Sequence, residues 1–281
     1  MLGMRNFLIA AMILGSAAQG ARAADMPDFP VLRGGYSDVP TRTINWQGGY
    51  IGAQAGYGTS NETFTGSNSN ITAGLLANTL VQSEMGVSQW PLGFSKQSQH
   101  GNGFGGFAGY NSQWDDVVIG LEMSYLHGKF GGSNSGDMAR SKVLSDGLEH
   151  NVTSSANSSI AIHDIGTFRA RAGYAVGGFL PYLFGGLALG QADIVRSATV
   201  NDDLYVPRTA TTPRSYIGSV VPLSATQGQY SRLIYGYTAG LGVDVSLVGG
   251  LFLRAEWEYI RFTSAIDTSI NTVRAGVGYR F

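Results

Sequence analysis

The chain contains no cysteine, which removes a disulfide scaffold, thiolate metal sites and a thiol nucleophile together. Charge is scarce as well: Asp, Glu, Lys and Arg make up 13% of the residues, about half the ordinary share. The net charge of -1 offers no basic surface to nucleic acid. Long apolar runs are missing too. Although 43% of the residues are hydrophobic, no stretch of about 18 apolar residues is present to cross a bilayer as a helix. These absences argue against an ordinary soluble enzyme and against a helical membrane protein. Glycine, by contrast, is in excess, at 41 of 281 residues, roughly double the usual share. An all-β chain with small residues inside accounts for that pattern.

The N-terminus reads as an address. Arg5 is followed by the apolar stretch Phe7 to Ala18, too short to span a bilayer, and Ala21-Arg22-Ala23 has the small residues of a cleavage site. Residues 1-23 are therefore expected to be a secretory signal peptide, cut after Ala23. Residues 24-45, with Pro27, Pro30 and Pro40 and no sustained period, read as an extended tether. Four Asn-x-Ser/Thr sequons, at Asn61, Asn70, Asn151 and Asn157, would suggest glycosylation in a eukaryotic secreted protein and coincidence in polar loops in a bacterial envelope protein.

From Trp46 onward, segments of about ten residues alternate apolar with small or polar side chains, the period of a strand whose two faces meet different surroundings. In the last segment Val273, Ala275, Val277, Tyr279 and Phe281 share one face; Arg274, Gly276, Gly278 and Arg280 share the other. Leu251, Leu253, Ala255, Trp257 and Tyr259 oppose Arg254, Glu256 and Glu258 in the same way, and charges on one face cannot point into lipid. Equivalent segments begin near Ile51, Phe104, Val117, His163 and Tyr235. The segment 182-192 is ambiguous by parity, and Leu183, Leu187 and Leu189 are taken as its lipid face. The total is eight.

The connections alternate short (about 112-115, 177-181 and 246-250) and long (about 60-101, 127-160 and 197-229), as periplasmic turns and extracellular loops do. The expected architecture is an all-β, eight-stranded antiparallel transmembrane β-barrel of OmpA/OmpX-like size over residues 46-281. Aromatic residues then form two girdles, with Tyr110, Tyr174, Tyr279 and Phe281 at the periplasmic rim and Tyr57, Tyr125, Tyr235, Trp257 and Tyr259 at the outer rim. A soluble lipocalin-type barrel would have the reverse pattern, polar outside and apolar inside.

Several motifs carry a resemblance. Trp46-Gln47-Gly48-Gly49-Tyr50-Ile51-Gly52, Gly109-Tyr110-Asn111, Thr167-Phe168-Arg169-Ala170-Arg171-Ala172-Gly173-Tyr174, Gly185-Gly186-Leu187-Ala188 and Val273 to Phe281 resemble the small outer-membrane β-barrel proteins of alphaproteobacteria, which include the major outer-membrane proteins of Brucella-type bacteria. The resemblance implies residence in the cell outer membrane, with lipid and lipopolysaccharide as surroundings. It also implies that the series Val273, Ala275, Val277, Tyr279 and Phe281 serves as a signal to the barrel assembly machinery. Some relatives bind hemin or contact host cells, which leaves host surface molecules, and peptidoglycan for the tether, as open partners.

On the expected inner face lie Glu122, Arg169, Arg171, Asp244, Arg254, Glu256, Glu258, Arg274 and Arg280. An eight-stranded barrel is just wide enough for side chains to fill, so near-balanced charges read as a salt-bridged plug, with a selective pore lining as the alternative. Catalytic, cofactor and metal sites are not expected. His100, His127 and His150 lie in or beside the long loops with no i, i+4 pair, and His163-Asp164, adjacent in a strand, should point to opposite faces. The glycines from Gly101 to Gly106 lack the helix and acidic residue of a nucleotide fold. Charges in 127-160 cancel, and the apolar island Ile71 to Val81 reads as a short helix or hairpin packing on neighbouring loops, or else as a sticky surface for a ligand. The function expected is structural, supporting membrane integrity, with passive solute diffusion and surface recognition through the loops as alternatives.

Overall fold

The computed structural model describes residues 44-263 and 266-281. The signal segment 1-23 and all of the tether except Ile44 and Asn45 lie outside the described residues. Eight antiparallel strands close into a ring in sequence order: β1 (Gly48–Thr63), β2 (Lys96–Trp114), β3 (Val117–Val143), β4 (Glu149–Tyr174), β5 (Phe179–Val206), β6 (Ser215–Ser246), β7 (Leu251–Phe262) and β8 (Asp267–Arg280). Closure runs through β1 and β8, with Tyr50 opposite Arg280 and Thr63 opposite Asp267. Within the closed ring each strand is thereby paired on both sides, as a lipid environment requires, while the parts of β3 before Val143 and of β6 after Ser215 that extend beyond the ring have a free edge.

The alternation places side chains as the sequence implies. Leu121, Met123, Tyr125, Leu183, Leu187 and Leu189 point outward and are exposed, while Glu122, Ser124, Tyr182 and Phe184 point inward and are buried. The rim aromatics Tyr57, Tyr110, Tyr125, Tyr174, Tyr235, Tyr279 and Phe281 are exposed on the outer surface.

The long connections differ from expectation. Residues 127-160 are strand except for the turn at 144-148, and 197-229 are strand except for 207-214. Here β3 to β6 run on past the outer girdle as a four-stranded sheet, with Val143 opposite Glu149 and Val206 opposite Ser215. On β4 the outward residues of this extension are Thr153, Ser155 and Asn157, so the pattern imitates a polar loop, while β6 exposes Tyr216, Val221 and Tyr230. Only 64-95 within the first connection is free of strand. It holds α1 (Ser69–Leu75), α2 (Leu80–Met85) and a 3-10 turn (Val87–Gln89). α2 is capped at its N-terminus by the Thr79 hydroxyl, which accepts from Gln82 N, and ends at Gly86 in the left-handed region with φ 61°.

These short helices could not persist alone, and the sheet holds them. Ile71, Leu76, Val81, Val87 and Trp90 bury against Val152, Ala156, Ala198 and Val200 on the inner face of the extension. The apolar island is thus the lid of a second hydrophobic core outside the membrane. Arg196 of β5 ties the two together, donating from Nη1 to Ser67 O at 2.6 Å.

Candidate functional site in the lumen

Successive inward positions along each strand change chemistry in the same order. On β3 they read Val118, Gly120, Glu122, Ser124, Leu126; on β7, Phe252, Arg254, Glu256, Glu258, Ile260. The lumen is consequently layered. At the periplasmic end Trp46, Tyr50, Phe107, Val118, Leu180, Tyr182, Phe184 and Phe252 form one apolar cluster. At the outer end Leu126, Phe130, Ile162, Ile165, Ile234, Ile260, Phe262 and Ile270 form another. The charges lie between.

The middle layer brings together eight of the nine expected charged residues, four acids and four arginines, all buried. Glu122 is the hub. It accepts from Arg169 Nε at 2.9 Å, from Arg254 Nη1 at 2.7 Å and from the Tyr50 hydroxyl at 2.7 Å. Arg171 reaches from Glu122 to Asp244, with 2.7 Å to the latter, and Asp244 also accepts from Arg254 Nε at 2.8 Å. Glu256 takes Arg169 Nη2 at 2.8 Å and the Tyr182 hydroxyl at 2.6 Å. Glu258 accepts from Thr238 Oγ1 at 2.7 Å and pairs with Arg274. With equal numbers of each sign and several hydrogen bonds per carboxylate, desolvation is offset within the layer.

The ninth residue stands apart. Arg280 is not in this network; its guanidinium lies 4.9 Å from the Trp46 ring at the periplasmic mouth. The alternation places it correctly on the inner face, but as the last residue of β8 it comes beyond the apolar layer that closes the network from below.

Sequence reasoning missed the aromatic floor. Phe107, Tyr182 and Phe184 lie under guanidinium groups, with Arg254 3.9 Å from the Phe107 ring, Arg171 3.8 Å from Tyr182 and Arg169 4.1 Å from Phe184. Tyr50 shares parity with Gly52 and Gln54, so the signal was present; the ambiguous parity of β5 had the same cause, apolar residues on both faces. Glycine makes room for these rings. A Cβ on Gly52 would collide with the Phe107 ring and with Val277 O.

The pairing His163-Asp164 also departs from expectation. A bulge between Ile162 and Asp164 turns both residues away from the lumen, where Asp164 meets His127 at 2.8 Å and the Tyr125 hydroxyl, and His163 meets Asp193 at 3.4 Å.

Residues 7–281 match the family described as outer membrane protein beta-barrel domain. The chain belongs to that family. Among relatives, the 31 kDa outer-membrane immunogenic protein of Brucella melitensis is 28% identical, with 98% of this chain and 99% of that protein covered. The 25 kDa outer-membrane immunogenic protein of Brucella ovis is 25% identical over 84% of this chain and 79% of its own. Neisserial surface protein A is similar at 13% identity with a TM-score of 0.37, over 83% of this chain and 97% of that one, too distant to add to the assignment. An outer-membrane location follows from family and fold. The terminal residues Val273, Ala275, Val277, Tyr279 and Phe281 of this family member all point outward.

Proposed function

We propose that this protein is a sealed, non-enzymatic barrel that supports outer-membrane integrity and carries a folded domain on the cell surface. The observation that supports this reading is the layering of the lumen. A solute entering from either side meets an apolar cluster before it reaches the middle-layer charges, and those charges are saturated by one another. Such a network stiffens the barrel and speaks against a water-filled path, which generally needs about 16 strands. The same saturation occupies the four carboxylates of the middle layer, and Glu62, buried higher on β1, stands outside that network.

Single-channel recording of the refolded protein in a planar bilayer tests this, with folding checked by heat-modifiable gel migration. A folded, inserted and silent barrel is expected. Reproducible steps whose ion selectivity changes in Arg169→Gln would replace this reading with passive diffusion.

A second reading, surface recognition, is favoured by the extension itself. Its buried core of Ile71, Leu76, Val152 and Val200 gives the outer sheet a fixed shape, as a recognition surface requires. Lipid, lipopolysaccharide and the barrel assembly machinery complete the proposed partners, the last through the outward terminal series. Phe281 is 75% exposed, so its removal should barely alter the folded barrel. Slower assembly in cells with unchanged heat stability of the folded fraction is the expected result for a chain ending at Arg280.

A further inference from the structure

Above the outer girdle, a cavity of about 210 Å³ opens on the outward face of β1, β8 and β7. Strand register fixes its height. Tyr259, at the girdle, lies in a row with Asn271 and Thr59. The next outward row is Arg261, Ser269 and Asn61, and the one beyond it brings Asp267, Thr63 and Lys96 together. Each row is two residues farther along the strand, about 6.7 Å, and the headgroup region of one leaflet is about 5–8 Å deep. With strands tilted by about 40°, the Arg261 row stands about 5 Å above Tyr259 and the Lys96 row about 10 Å, so the cavity spans the headgroup layer and its outer edge.

Its chemistry is lopsided. Lys96 has no ion pair among the described residues, and Arg261 has one acidic neighbour, Asp267, at the outer limit of pairing, 4.0 Å. Glu62 also lines the cavity, but its carboxylate is fully buried beside Gly132 within the barrel, so on the outward side the two cations share the single carboxylate of Asp267. Thr63 and Ser269 add hydroxyls and Asn61 an amide, so the wall presents many donors converging on a site with one competing anion. Donors of this kind around a small polar cavity suit a tetrahedral oxyanion with several acceptor oxygens.

We propose that this cavity binds a phosphate group, presented by the headgroup of an outer-leaflet lipid. The ligand would take the place beside Arg261 that Asp267 holds weakly, and Lys96 would close over it from β2. Charge then governs affinity in a definite direction: removing the bases weakens binding, and removing Asp267 strengthens it.

The test uses the refolded full chain in neutral detergent, with bound lipid counted by native mass spectrometry. The probes are diphosphorylated lipid A, the same lipid with its phosphates removed, and inorganic phosphate as competitor. The unaltered protein should retain the phosphorylated form about fivefold better at low salt, a preference that fades as salt is raised. Lys96→Gln with Arg261→Gln should remove that preference, and Asp267→Asn should increase it, each in a barrel that still shows heat-modifiable migration. Equal retention of the two lipids by the unaltered protein overturns the proposal. So does a folded double variant that behaves like the parent, or an Asp267→Asn variant with no gain. Should the double variant not fold, Lys96→Gln alone must lower retention, and no change there also overturns it. Competition by millimolar inorganic phosphate that depends on Lys96 and Arg261, without a preference between the lipids, would assign the site to the free anion and overturn the headgroup as its source.

Discussion

Arg169 and Glu122 face each other across β4 and β3, and the guanidinium engages one carboxylate oxygen, Oε1, through both Nε and Nη2. The same arginine reaches Glu256 and Glu258 on the opposite wall, so one side chain spans the lumen between β4 and β7. Replacing Glu122 by Gln leaves Arg169, Arg171 and Arg254 short of their common acceptor. Breaking a buried pair in this way costs about 3–5 kcal/mol. Urea titration of the barrel refolded in lipid vesicles should show a loss of that size, and a smaller loss for Glu149→Gln, whose partner Arg214 is in the exposed part of the chain.

Glycine positions against the aromatic floor should divide into two classes. A methyl on Gly52 meets backbone, Val277 O, as well as the Phe107 ring, whereas on Gly278 the nearest atoms all belong to the Phe252 ring. A ring edge can turn aside; a strand backbone paired on both sides cannot. Gly52→Ala should therefore cost about 1–3 kcal/mol, the usual range for overpacking, and Gly278→Ala distinctly less by the same titration.

His150, in the extracellular extension, sits between two carboxylates, with Nδ1 2.7 Å from Asp202 and Nε2 2.9 Å from Asp146. A carboxylate only accepts, so both contacts require the doubly protonated ring. Burial opposes that charge, but hydrogen bonds to Asp146 and Asp202 and the charges of both prevail, and the imidazole is held above its usual range. Asp146 is correspondingly lowered, first by its bond to His150 and then by the bond from Leu148 N. Because the folded value lies above the unfolded one, about 6.5, the stabilisation is complete below that pH and lost as pH rises through the raised value. Amide exchange in the turn 144-148 should accelerate on going from pH 6 toward pH 8.5, after correction for intrinsic rates. His150→Gln, which cannot carry the charge, should exchange fast throughout.

The second core can be tested without touching the first. Leu76 is buried against the extension sheet and far along the chain from the lumen charges. Leu76→Ala should cost about 2–5 kcal/mol locally, seen as protease cleavage within 64-95. The heat-modifiable shift of the barrel should be unchanged.

Much of this was legible in the sequence, and the reasons are physical. Where a strand passes between lipid and a packed lumen the contrast is steep, as at Leu121, Glu122 and Met123, and parity alone assigned each face. Legibility ended at the girdle. Beyond it Thr153, Ser155 and Asn157 face water while Val152, Ala156 and Ser158 face the second core, a contrast too shallow to separate strand from loop. In β5 parity was ambiguous for another reason, since Tyr182 and Leu183 are both large and apolar, one under Arg171 and the other outward, although the face taken as lipid-facing, Leu183, Leu187 and Leu189, is the outward one. The bulge beside His163 had no signature in either period.

The unequal strand lengths also have a mechanical consequence. β5 is one strand of 28 residues from Phe179 at the periplasmic turn to Val206 at the surface tip, paired with β6 along its length and with β4 from Tyr182 to Tyr205, its register interrupted only by local bulges. A pull applied at the tip therefore loads many ladder bonds at once in shear rather than opening them in sequence. Tension on the cell surface would be handed through the bilayer to the periplasmic turns, and the part to give way first would be the short helices over the second core, not the wall.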